Sequence, residues 1–140
     1  MKWVTWENIG VDRMACAWLI RRWIDPEAEF LFIPMGEKSI PEDVEPFDIP
    51  GVRLSHRGAH STFHTILKEY QLDDPLLQRI ANIVDEADVT QDVTLESIAD
   101  GLDFICRGTS LISDNDQVAV ERGQLIYDAV YAQLKMDSAT

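Results

Sequence analysis

The segment Val11–Ile24 constrains this chain more than any other. It reads V-D-R-M-A-C-A-W-L-I-R-R-W-I. Met14, Ala15, Trp18, Leu19 and Trp23 make one apolar helical stripe, and Ala17, Ile20 and Ile24 make a second. A helix apolar on more than one side has to be enclosed by other elements. The same segment carries Arg13, Arg21 and Arg22. A buried guanidinium is costly without an anionic partner, so these arginines must meet carboxylates or a bound oxyanion. Asp12 is expected to cap this helix. Asp25-Pro26 ends it, because a residue before proline avoids the helical region.

The flanking segments supply what could enclose it. Lys2–Trp6 and Glu29–Ile33 are short and rich in aromatic and β-branched residues, as strands are. Pro34–Asp48 is broken by Pro34, Gly36, Pro41 and Pro46 and reads as a long loop, a kind that often carries function. Val52–His56, entered by the Pro50-Gly51 turn, is expected as a third strand. The remainder has helical periodicity. Ser61 is expected to cap a helix running to about Tyr70. Asp73 or Asp74 caps the next, with Pro75 in its first turn. That helix carries Leu76, Leu77, Ile80, Ile83, Val84 and Ala87 on its apolar face. Leu95, Ile98, Leu102, Ile105 and Cys106 mark a further helix. Val118, Leu125, Ile126, Ala129, Val130 and Leu134 mark the last, with Asp114-Asn115-Asp116 as its cap. The expected fold is α+β and mainly helical. A small three-stranded N-terminal sheet with one buried helix is followed by a four-helix cluster, in a single domain over residues 1–140.

Charge narrows the function classes. The net charge of −13 argues against general binding to nucleic acid or anionic membranes, which need a positive field. Residues 1–60 hold ten acids against seven bases, whereas residues 61–140 hold fifteen against five. An anion is therefore tolerated only near the N-terminal part. Arg13, Arg21, Arg22, Arg53 and Arg57 suit an oxyanion or, alternatively, pairing with nearby acids such as Asp12, Asp25, Glu29 and Asp48. Cys16 and Cys106 make no disulfide framework, no secretory signal is visible, and no apolar run is long enough to span a bilayer. The expected compartment is the cytoplasm. Both cysteines are read as small buried hydrophobes.

All three histidines, His56, His60 and His64, fall in the run H-R-G-A-H-S-T-F-H. Imidazole is the commonest metal ligand, and Gly58 permits a sharp reversal between His56 and His60. The spacing matches no zinc signature, and a capped turn is the plain alternative. Asp85 and Asp88 share a helical face near that helix's C-terminus, where acids oppose the macrodipole and need a compensating cation. A histidine pair with one or two carboxylates can hold zinc, manganese or iron with positions left open. Nucleotide-binding glycine loops and serine-hydrolase elbows are absent.

The run from Val11 to Pro34 closely resembles the signature of the chromate-resistance ChrB C-terminal domain family. The resemblance continues through P-F-D-I-P-G-V-R-L-S-H-R-G (Pro46–Gly58) and returns at I-V-D-E-A-D (Ile83–Asp88) and Y-D-A-V-Y-A (Tyr127–Ala132). The recurring family positions are Asp12, Arg13, Cys16, Trp18, Arg21, Arg22, Asp48, His56, Gly58 and Asp88. His64 departs from the acid expected there, an exchange between two ligand types, and Ala17 departs from an expected proline. Larger relatives carry an additional N-terminal regulatory region.

The resemblance implies a link to chromate resistance. With the residues above, it gives a soluble metal-binding domain that senses or handles a metal or oxyanion. The expected metal ligands are His56, His64, Asp88 and Asp85, around a divalent or trivalent ion. The expected anion contacts are Arg13, Arg21 and Arg22. A metal-dependent enzyme acting on a small anion and a regulatory interaction module are the alternatives. The expected partners are the metal ion or a small oxyanion, with no nucleic acid or membrane bound by this chain alone. A homo-oligomer is left open.

Overall fold

Two short strands either side of the buried segment make it a crossover helix. β1 (Lys2–Trp6), α1 (Val11–Leu19) and β2 (Glu29–Ile33) form one parallel βαβ unit, paired from Lys2↔Glu29 through Trp6↔Ile33. Parallel neighbours need such a crossover, and α1 supplies it. β3 (Glu45–Pro46) adds to the other edge of β1, also in parallel, giving the order β2-β1-β3. Among the described residues four helices follow: α2 (Thr62–Glu69), α3 (Pro75–Asp88), α4 (Ala99–Leu111) and α5 (Asp116–Ser138). This computed structural model describes residues 1–89 and 94–139. The expected class, mainly helical α+β with a three-stranded N-terminal sheet, is what it shows.

Two local expectations are corrected. The third strand is Glu45–Pro46, inside the expected loop, and not Val52–His56. The Ile49–Val52 turn has Pro50 at its second position and Gly51 at φ +90°, which carries the chain off the sheet edge. Only Leu54 then returns to bridge Phe47. Asp12 is not the cap of α1. Gly10 occupies that position, and Asp12 is already helical. Its carboxylate faces a different helix, as described below. The expected stop at Asp25 holds, but the last turn, Ile20–Ile24, is a π-helix closed by Asp25 N donating to Ile20 O at 2.6 Å.

α1 is the axis of the core. Every residue from Met14 to Ile20 is buried, and α2, α3, α4 and α5 all pack on α1. The caps of the outer helices match expectation: Ser61, Asp74 and Asn115 accept from His64 N, Leu76 N and Val118 N. Some of the periodic apolar positions lie outside the core. Leu95 is 82% exposed, Leu125 74% and Ile105 53%. On α5 the face toward α1 is instead built on Ala119, Val120, Gly123 and Tyr127. A Cβ at Gly123 would stand 3.3 Å from Met14 Cβ, so the glycine sets how closely α5 approaches α1. Tyr127, fully buried, donates its hydroxyl to Val11 O at 2.8 Å. Tyr127→Phe is expected to cost about 1–1.5 kcal/mol in urea unfolding, the usual net value of one such bond. No change in midpoint would show that this bond does not anchor α5 on α1.

No described helix is long and apolar enough to cross a membrane.

Candidate metal centre

The strand order puts the site where it is. The chain leaves β1 for one side of the sheet and returns on the other, so the connections diverge between β1 and β3. In open parallel sheets, ligands are received beyond the carboxyl ends of the strands at such a switch. The chain after β1 runs into α1 and Asp12. The end of β3 runs directly into Asp48. Asp12 and Asp48 thus both lie beyond the carboxyl ends of these strands, and each accepts from Thr62.

Asp12 is 2% exposed, a severe position for a charge. It is held there by the N-terminus of α2. Thr62 N donates to Oδ2 at 2.9 Å and Phe63 N to Oδ1 at 3.0 Å. Unpaired amides and the positive end of a helix dipole both favour an anion at this place. Cys16 Sγ adds a 3.4 Å contact to Oδ1. Burial first, and then the Asp12 charge, push the Cys16 thiol well above its ordinary range, so this cysteine stays a neutral donor.

Asp48 has φ +53°, a left-handed conformation that aspartate tolerates better than most residues and that recurs at functional sites. Its Oδ1 accepts from Thr62 Oγ1 at 2.7 Å. Its Oδ2 lies 3.1 Å from Arg13 Nε, and its carbonyl accepts from Arg13 Nη2 at 3.1 Å. Burial and the neighbouring Asp12 charge raise its pKa to about 7, although Arg13 pulls the other way.

His56 closes the cluster. Its Nε2 lies 2.9 Å from Asp12 Oδ2, 3.1 Å from Asp88 Oδ2 and 3.4 Å from Asp48 Oδ1. One ring nitrogen thus faces three carboxylates while it can carry only one proton. Hydrogen bonding to Asp12 and Asp88 raises the imidazole pKa to about 10. The ligand atoms of Asp12, Asp48 and His56 lie within 4.8 Å of one another, a spacing one metal ion can satisfy. Asp88 approaches the same nitrogen from α3. Two cavities open on the cluster, of about 650 and 560 Å³, and Arg13, Asp48 and Asp88 line both.

The structure divides the four expected ligands between two places. His56 and Asp88 belong to this cluster. His64 and Asp85 belong to another, with His60. Gly58, at φ +59°, turns the chain between Arg57 and His60 and sends the first histidine one way and the other two another. Of the expected anion contacts, Arg13 is at the site but bound to Asp48. Arg21 pairs with Glu121 at 2.7 Å, and Arg22 grips both oxygens of Asp128. Neither lines the two cavities. Trp18, buried, donates its Nε1 to Asp128 at 2.7 Å and lines neither cavity. Asp12 and Asp48 are the ligand-type residues that residue spacing did not single out. The available signal was an acid placed among fully buried neighbours in α1.

The family model for the ChrB C-terminal domain matches residues 3–134. Protein ChrB of Cupriavidus metallidurans is 33% identical over 131 residues, covering 93% of this chain and 40% of that protein. No solved structure matches. With the match running from β1 into α5 and including every residue of the cluster, the chain belongs to the ChrB C-terminal domain family.

Proposed function

We propose that this domain binds a divalent metal ion at Asp12, Asp48, His56 and Asp88, and that it serves chromate resistance by sensing or handling that ion. The observation that carries the reading is the convergence of three carboxylates on one imidazole nitrogen. With His56 neutral and the acids ionised, three carboxylates and Arg13 leave a local charge of −2, which a divalent ion cancels. One imidazole with several carboxylate oxygens suits manganese, iron or zinc. His56 and Asp88 are partly exposed, so ion and ligand have access. Arg21 and Arg22 are engaged by acids, which favours a cation over direct capture of an oxyanion.

A metal-dependent reaction on a small anion is a second reading. It is favoured by the 650 Å³ cavity, which brings Arg107 and the start of α1 to the same carboxylates. A bound metal with an open position supplies an activated water or a Lewis acid there.

The test uses protein purified without a histidine tag and stripped with chelator. Mn²⁺, Fe²⁺ or Zn²⁺ at 100 times its dissociation constant is expected to raise the melting temperature by on the order of 10 °C. His56→Ala is expected to weaken binding at least roughly 10–100-fold, and Arg21→Ala to leave it unchanged. A melting temperature indifferent to all three ions would refute the proposal.

A further inference from the structure

We infer that His60, His64 and Asp85 form a second, separate site for an imidazole-preferring divalent ion such as Zn²⁺. The site shares no ligand with the Asp12 cluster and stands or falls separately from it.

The three residues come from three different local structures. His60 closes the Gly58 turn, His64 lies in the first turn of α2, and Asp85 lies on α3. His60 Nδ1 is 2.8 Å from Asp85 Oδ2, and His64 Nδ1 is 3.1 Å from the same oxygen. The two rings lie 3.9 Å apart, tilted by 35°. The three ligand atoms fall within 4.8 Å of one another.

Both Nδ1 atoms point at one carboxylate oxygen rather than at separate acceptors, so a single metal ion placed between them reaches all three ligand atoms. Zinc bonds of about 2.0–2.2 Å in a tetrahedron place ligand atoms about 3.3 Å apart. The two histidine-to-carboxylate separations need widen by only a few tenths of an ångström. The His60 side chain is 55% exposed and free to make that adjustment.

The supporting contacts are those of a built site. Asp85 is buried, and its other oxygen accepts from Ser61 N and Ser61 Oγ, each at 2.8 Å. A carboxylate oriented this way by neighbouring donors is the usual support of a metal ligand. Exposure of His60 leaves a coordination position toward solvent. The donor set also differs from that of the first cluster. Two imidazoles and one carboxylate favour zinc, cobalt, nickel or copper over manganese and magnesium, whereas the oxygen-rich cluster favours the harder ions.

The test titrates Zn²⁺ into chelator-stripped, untagged protein against a chromophoric competitor, with Co²⁺ absorption as a second readout. Wild type is expected to bind one more equivalent of zinc than the His60→Ala, His64→Ala double variant. The visible cobalt bands of the site should vanish in that variant and survive in His56→Ala. The single variant His60→Gln changes an exposed side chain and serves if the double variant loses helical circular dichroism. It should weaken that equivalent at least roughly 10-fold. Equal zinc stoichiometry and affinity in wild type and the folded histidine variants would overturn the inference.

Discussion

Replacing Asp12 by alanine is expected to remove about 3–5 kcal/mol of folding stability. The loss has a specific origin. Thr62 N and Phe63 N are buried donors with Asp12 as their acceptor, and each orphaned donor costs about 1–3 kcal/mol. The imidazolium of His56 also loses its shortest contact to a carboxylate. Against a total of about 5–15 kcal/mol for a domain, this is enough to threaten folding. Asp12→Asn is the gentler test. It keeps the shape but points an amide N–H₂ toward backbone N–H groups, so it should still destabilise measurably. Urea unfolding of both variants checks the claim. A loss below about 1 kcal/mol for the alanine variant would show that α2 does not depend on this carboxylate.

The second large effect is the dependence of metal affinity on pH. The ion must displace the His56 proton, held up to about 10, and below about 7 also the Asp48 proton. Affinity for Mn²⁺ should therefore rise about 100-fold per pH unit between pH 5 and 7, and about tenfold per unit between 7 and 10. The metal-free protein should behave in the opposite sense. Asp48 is raised on folding from 3.8, so the native state binds more protons and stability falls as pH climbs from about 4 to 7. His56 is raised from 6.5, so its contribution is whole below that value and is lost as pH rises through about 10. Calorimetric titration across this range, with melting curves of the stripped protein, measures both. An affinity independent of pH would mean that the ion does not bind at His56.

The two strands and the helix of the βαβ unit were plain in the sequence, although their parallel pairing was not. Its strands are β-branched and aromatic, its helix has no solvent face, and Pro26 marks the stop. Caps at Ser61, Asp74 and Asn115 were equally legible, because capping depends on neighbours in the chain. β3 was not. It is two residues long, one of them proline, and it exists only because β1 offers an unpaired edge. Val52–His56 has strand-like residues, but the turn geometry at Pro50-Gly51 decides where they go. The site was half legible. The histidine run and Asp85/Asp88 stand out, but proximity in sequence suggested one site where the Gly58 turn makes two clusters. Asp12 resembled a cap because aspartate near a helix start usually is one. Its carboxylate does cap a helix, but α2 and not its own, a pairing of residues fifty positions apart that no local pattern records.

That pairing across the chain has a consequence for how the fold is completed. The βαβ unit contains most of the strand pairing, and its contacts are the more local ones. It cannot finish alone, because closing apolar walls around α1 would strand the Asp12 carboxylate without donors. Only docking of the α2 terminus supplies them. A half-chain lacking residues 62–63 leaves the Asp12 carboxylate without these two donors, so the N-terminal and helical halves are expected to unfold together in a single transition.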